Sequence, residues 1–253
     1  MVTLIAVVAG LILGSFLSVL LSRWPHWRGA ATGRSRCPDC QHELAWYDLI
    51  PLASWLTLRG RCRYCGAKIS PSYVAYEVVM ATVLGVYAFM NGLPSGWVAV
   101  DYIALFVLVS LFFFDVRHQV LPDALLLPLG VILLARLVSL RPDLLVNALA
   151  TAVAIAGVFG ILYAASRGRW LGFGDVKLGL VMGLLFGYPA AVGVTLVAIW
   201  VGALVGLALI ATHRATMQTA LPFGSFWVAV AILTLLWPGP VYFISGLFTP
   251  ILR

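Results

Sequence analysis

Gly172-Phe173-Gly174-Asp175-Val176-Lys177-Leu178-Gly179 places one carboxylate between two glycines and a lysine. An apolar run ends before it at about Ser166, and another begins at Val176. Asp175 therefore stands at or just inside a membrane boundary, where an ionisable residue is costly and marks function by default. Gly172 and Gly174 carry no Cβ and let the backbone bend and approach a neighbour. Upstream, Asp115-Val116-Arg117-His118-Gln119-Val120-Leu121-Pro122-Asp123 also lies between two apolar runs. The two stretches predict that Asp115 and Asp175 meet at one membrane face and act together, with Gly172, Gly174 and Lys177 as their local support.

The composition agrees with a membrane setting. The chain is 62% hydrophobic and 10% charged, with mean hydropathy +1.04, whereas a soluble domain carries about 25% charged residues. An integral membrane protein is expected, and the nine acids become individually informative. The net charge of +7 reads as membrane orientation rather than nucleic-acid binding, because of where the basic residues fall. The first apolar run is too long for the core of a cleavable signal, and basic residues follow it rather than precede it.

About eight spanning runs can be drawn, at 2–21, 74–90, 98–114, 125–140, 144–165, 176–186, 190–211 and 223–248. The fold class is all-α, a polytopic bundle of membrane helices with a small cytoplasmic loop domain. Gly10, Gly14, Ser15 and Ser18 share one side of the first run and predict close helix packing. Gly179, Gly183 and Gly187 form a similar stripe behind Asp175, aimed at a neighbouring helix such as the one carrying Asp115.

Between Arg23 and Ser72 the composition turns polar and basic, with Arg23, Arg28, Arg34, Arg36, Arg59, Arg61, Arg63 and Lys68 against Asp39, Glu43 and Asp48. This segment holds every cysteine: Cys37 and Cys40 in one Cys-x-x-Cys knuckle, Cys62 and Cys65 in the other. Two such knuckles match a four-thiolate structural zinc site. Gly66 fits the tight turn of the second. Disulfides and free thiols are the alternatives. The positive-inside rule puts the basic loop in the cytoplasm, where thiols stay reduced, and so favours zinc. Four cysteines leave no open coordination position for catalysis. His26 and His42 lie nearby and are not needed as ligands.

With that loop inside, the N-terminus is outside, and the turns near Asp115–Asp123, Arg167–Asp175 and 212–221 fall inside. Arg117, Arg167, Arg169, Lys177 and Arg214 collect there, against Arg136, Arg141 and Arg253 outside. The asymmetry supports the topology. Glu77 falls one turn into the second run, either paired with a basic group of the loop or belonging to the site. Asp101 reads as a solvated anchor at the outer end of the third run. Asp143 takes no chemistry. Asp123 follows Pro122 and reads as a helix cap or as site support.

Two carboxylates at close range do not both ionise readily, so one holds a proton while the other does not. Such a pair can activate water and protonate a leaving amine, with no nucleophile from the protein. Aspartyl peptide hydrolysis is the favoured class. A proton-coupled transporter is the alternative from another class, since paired intramembrane acids also relay protons. A regulatory zinc-binding membrane module would not need both aspartates.

The motifs together resemble the prepilin peptidases, of the Gly-x-Gly-Asp membrane aspartyl protease class. The resemblance runs through Gly14-Ser15-Phe16-Leu17, Cys37-Pro38-x-Cys40, Asp48-x-Ile50-Pro51-Leu52-x-Ser54-Trp55, Gly60-Arg61-Cys62-Arg63-x-Cys65, Asp115, Leu121-Pro122-Asp123, Gly172-x-Gly174-Asp175-x-Lys177 and Pro222-Phe223-Gly224. It implies a catalytic pair, Asp115 and Asp175, that removes the short basic leader of type IV prepilins or of type II secretion pseudopilins. It also implies N-methylation of the new terminal residue from S-adenosylmethionine. It places the protein in the bacterial inner membrane, with loop and site on the cytoplasmic side. It divides the chain into a first membrane helix (1–22), a zinc-binding loop domain (23–73) and a peptidase core (74–253). The basic loop would bind the cofactor or anionic membrane lipids rather than the basic leader. A peptidase without methyltransferase activity remains the alternative within the family. Ser225 stands where the family usually has proline, and Ser18 where it often has asparagine.

Overall fold

The computed structural model describes residues 1–25, 27, 33–92, 96–214, 216, 219 and 221–239. His26, Arg28, Arg253 and the end of the last expected run lie outside the described residues. Among the described residues the regular structure is helical, joined only by two isolated bridges, Arg36 with Glu43 and Arg61 with Lys68. The chain forms two compact units, Met1–Leu93 and Pro94–Arg253.

The first unit pairs α1 (Val2–Ser22) with α3 (Ser72–Asn91). The expected small-residue packing is how they meet. A Cβ on Gly10 would lie 2.5 Å from the Ala81 Cα, and one on Gly14 2.5 Å from the Glu77 Cα. Backbone thus packs on backbone along this seam. Between the two helices the loop folds into two knuckles, a 3₁₀ turn (Trp46–Leu49) and the short α2 (Ala53–Thr57).

The second unit contains α4 (Gly96–His118), α5 (Asp123–Leu140), α6 (Pro142–Ser166), α7 (Phe173–Phe186), α8 (Ala190–Ala211) and α9 (Phe223–Leu236). Its core holds Leu105, Leu108, Leu111, Phe114, Leu129, Leu178 and Trp227, all fully buried. The outward faces are apolar, with Val131, Val153, Ile161 and Leu204 each more than 60% exposed. Such faces suit hydrocarbon, not water. Among the described residues six helices (α1, α3, α4, α5, α6 and α8) are long and apolar enough to cross a membrane, and the chain is a multi-pass membrane protein. Helix α7 has 14 residues. It therefore spans only about 21 Å at 1.5 Å per residue, short of the ~30 Å hydrocarbon core. The expected count of about eight thus depends on α7 and on the residues beyond Leu236.

Two expectations need correction here. The glycine stripe of α7 packs against α6, not against the helix carrying Asp115: a Cβ on Gly183 would fall 2.2 Å from the Ala152 Cα, and one on Gly179 3.1 Å from Ile155. Gly187 ends the helix instead, at φ 64°. A stripe of small residues shows that a helix approaches, not which one. Asp101 is no solvated anchor. It is 6% exposed and pairs inside the bundle with Arg136, itself 6% exposed and stacked over the Trp97 ring. The two residues stand 35 apart on the consecutive helices α4 and α5, so each charge looked solitary in the chain.

Candidate functional site

Helix α6 ends at Ser166, where Arg167 turns left-handed at φ 53°. The chain then re-enters at Gly172, the N-cap of α7. Asp175 is the third residue of that helix. Its Oδ2 accepts the Gly172 N–H at 3.1 Å, and its own N–H donates to the Gly172 carbonyl at 3.1 Å. A carboxylate in a first helical turn is favoured by the unpaired N–H groups and the helix dipole. The Gly-x-Gly-Asp sequence thus holds its aspartate by local geometry.

Asp115 approaches from the last turn of α4. It is 5% exposed, and Asp175 is 9% exposed. Asp175 is near enough to feel the charge of Asp115. Leu121, on the turn after α4, packs against Gly174 and Gly224. A Cβ added at Gly174 would lie 3.1 Å from the Leu121 Cβ, and one at Gly224 3.2 Å from its Cδ1.

The residues missed in the sequence are on α9. The Ser225 N–H and the Ser225 hydroxyl both donate to the Asp115 Oδ2, the hydroxyl at 2.6 Å. A Cβ on Gly224 would fall 3.1 Å from that same oxygen. Pro-Phe-Gly-Ser was known only as a helix start and a family motif. Its partner lies 110 residues away in the chain, so no local pattern pointed to it. With two donors on Oδ2, that oxygen's lone-pair sites are filled.

The supporting residues divide. Asp123 is not a side-chain cap: Pro122 holds the cap position, and both Asp123 oxygens bind the Lys177 Nζ, the longer contact at 2.7 Å. This pair ties α5 to α7 two residues beyond Asp175. Gly172 and Gly174 hold the backbone as described. Glu77 lies in the first unit. It is 7% exposed, and its Oε2 accepts the Leu52 N–H at 2.7 Å rather than a basic side chain.

In the first unit the four cysteine sulfurs converge, all within 4.8 Å of one another. Cys37 and Cys65 are 3.9 Å apart, and none of the four is in a disulfide. A tetrahedron with 2.3 Å metal–sulfur bonds has edges of about 3.8 Å, so the donor set fits zinc. The knuckles repeat each other. The Cys37 and Cys62 N–H groups donate to the His42 and Ala67 carbonyls, and Gln41 and Gly66 turn left-handed at φ 59° and 73°.

The charge balance also suits a cation. N–H groups of Cys65 and then Tyr64 pull the Cys62 thiol down to about 7. At Cys65 the Ala67 N–H pulls downward, yet burial and the thiols of Cys40, Cys62 and Cys37 push it up to about 12. Four adjacent thiolates need a metal to coexist. His42 is not among the ligands; its ring lies tilted against that of Tyr64, with centroids 3.7 Å apart. Burial pushes the Asp48 carboxyl up. The Arg63 guanidinium, the Ala45 N–H and the Tyr64 hydroxyl outweigh that and hold it below the usual range.

Known proteins resemble both units. Residues 8–91 match the model of the bacterial peptidase A24 N-terminal domain, and residues 102–207 match that of the type IV leader peptidase family. A Stutzerimonas stutzeri protein named prepilin leader peptidase/N-methyltransferase is 32% identical over 262 residues, covering 92% of this chain and 90% of its own length. One of that name from Aeromonas hydrophila is 33% identical, covering 90% and 88%. Another from Myxococcus xanthus is 38% identical, covering 84% and 64%. No solved structure matches the chain. Two buried aspartates facing each other, a four-cysteine cluster and relatives aligned over nearly the whole chain lead to one identification: this protein belongs to the type IV leader peptidase family.

Proposed function

We propose that the protein removes the basic leader of type IV prepilins or pseudopilins with Asp115 and Asp175, and N-methylates the new terminal residue. The observation that carries the reading is the convergence of two buried carboxylates from α4 and α7. One carboxylate takes a proton from the attacking water. The other, protonated, gives its proton to the peptide and then to the leaving amine. The Ser225 donors hold Asp115, and the Gly172 N–H holds Asp175. Family membership and the missing need for any other nucleophile favour hydrolysis over the proton-coupled transporter.

The site belongs on the cytoplasmic side of the bacterial inner membrane, with the N-terminus outside, on the strength of the charge asymmetry. A prepilin enters with its apolar helix in the bilayer and its basic leader at that face. Cys37, Cys40, Cys62 and Cys65 hold a structural zinc ion that staples the 23–73 loop, a segment too small to build a large core unaided. The peptidase core falls within 74–253. The loop's basic face suits anionic lipid head groups.

S-adenosylmethionine, when bound, would supply the methyl group that the new terminal amine takes up. The test is cleavage of a purified prepilin by Asp115→Asn and Asp175→Asn variants. Loss in both supports the pair, and cleavage retained in either refutes it.

A further inference from the structure

The stretch 45–58 of the loop carries one charge, Asp48. That charge is turned away from solvent. The Asp48 side chain is 3% exposed, and the Arg63 Nε, the Tyr64 hydroxyl and the Ala45 N–H donate to it. The apolar side chains do the opposite. Trp46 is 77% exposed and Leu56 59%, and Tyr47, Leu49 and Ile50 are exposed as well. The stretch does have an inside, which Trp55 takes. A Cβ on Gly60 would lie 2.9 Å from its ring, and its Nε1 donates to the Ile69 carbonyl at 3.4 Å. A loop meant for water would show the reverse pattern, and such an apolar face marks an interaction surface.

Two observations say what covers it. The first is depth. Helix α3 is long and apolar enough to cross the membrane. Glu77 is its sixth residue, about 8 Å from its start at 1.5 Å per residue. The Glu77 Oε2 accepts the Leu52 N–H at 2.7 Å. Leu52 joins the 3₁₀ turn to α2 at φ 61° and ψ −49°, a strained conformation for a leucine. The middle of the stretch is thus tied to the first two turns of a spanning helix. That is the level of the head-group layer, about 5–8 Å thick on each side of the hydrocarbon. The second observation is charge. Arg59, Arg61 and Arg63 follow the stretch, all exposed, with no acid among 59–68. The Arg63 guanidinium lies over the Tyr47 ring at 5.1 Å. Trp and Tyr with arginine beside them suit a membrane interface, where apolar burial and attraction to anionic head groups add.

We propose that this face is an interfacial anchor, with Trp46, Tyr47, Leu49, Ile50 and Leu56 seated in the head-group layer of the leaflet from which the loop projects. The inference rests on the lipid reading of the loop above and gives it a surface. The anchor fixes the height of the cysteine knuckles at the membrane face.

The test places the purified full chain, zinc bound, in vesicles of phosphatidylcholine and phosphatidylglycerol. The vesicles carry a lipid with a photoactivated diazirine at the top of its acyl chain, and labelled peptides are read by mass spectrometry. Label on peptides spanning 46–56, as well as on the membrane helices, supports the anchor. Label confined to the helices overturns it. The double variant Trp46→Ser, Leu56→Ser is expected to lose label at 46–56 by at least about tenfold, with zinc content and the label on α1 unchanged. Unchanged label at 46–56 overturns the anchor. Label at 46–56 that does not depend on phosphatidylglycerol supports the apolar anchor and overturns the anionic-lipid reading of the basic face. Crosslinks joining 46–56 of two copies, with no lipid label there, overturn the anchor in favour of a second copy of the chain.

Discussion

The knuckle loop and the aspartate site solve one problem, holding groups that repel each other, by opposite means. The loop works locally. Each knuckle closes its own turn within a few residues, as in Cys37 N–H to His42 and Cys62 N–H to Ala67, and the four sulfurs converge in a set that fits a cation. The aspartate site, apart from Asp175 and its own Gly172, works at long range. Asp115 draws its donors from Ser225, and Asp123 of α5 meets Lys177 of α7. No metal is needed there, because two carboxylates can share one proton. Groups that a metal reconciles are written as a motif. Groups that a fold reconciles are scattered through the chain.

The contrast predicts that damage in one region spares the chemistry of the other. The largest effect is Asp115→Asn or Asp175→Asn, each lowering cleavage by at least about 10²–10⁴-fold while zinc content stays at the wild-type level. Next, Cys62→Ser releases zinc, measured by elemental analysis, and impairs methylation more than cleavage. Equal loss of both activities would break the comparison. Gly224→Val drives a side chain into the Asp115 Oδ2, where even a Cβ would sit 3.1 Å away. Displacing a catalytic group by about 1 Å costs about 10²-fold, read as kcat in a leader-cleavage assay. Ser225→Ala removes the hydroxyl donor and keeps the N–H. A hydrogen bond to a charged group contributes about 1.5 kcal/mol or more, so about a tenfold fall in rate is expected. The smallest effect is Gly66→Ala, where an added Cβ meets nothing within 4 Å. Only the left-handed backbone objects, at about 1–2 kcal/mol, seen as easier release of zinc to a chelator.

Much of this was legible before the structure, for physical reasons. Apolar runs announce membrane helices because lipid allows little else. The knuckles are local, so their spacing revealed them. Asp115 and Asp175 stood out because few acids occur beside long apolar runs. What was hidden depends on contacts between distant segments. Ser225 reads as an ordinary helix-start residue until α9 is seen against α4. Asp101 reads as solvated until Arg136 appears from α5. Glu77 invited a basic partner, yet its partner is the N–H of a strained leucine, which no side-chain pattern encodes.

The most direct measurement takes purified wild type, Asp115→Asn and Asp175→Asn, each with a model prepilin and S-adenosylmethionine, and reads the product by intact mass. The account predicts loss of the leader and gain of one methyl mass with the wild type, and uncut prepilin with both variants. A variant that still removes the leader, or a well-folded wild type that does not, would contradict it.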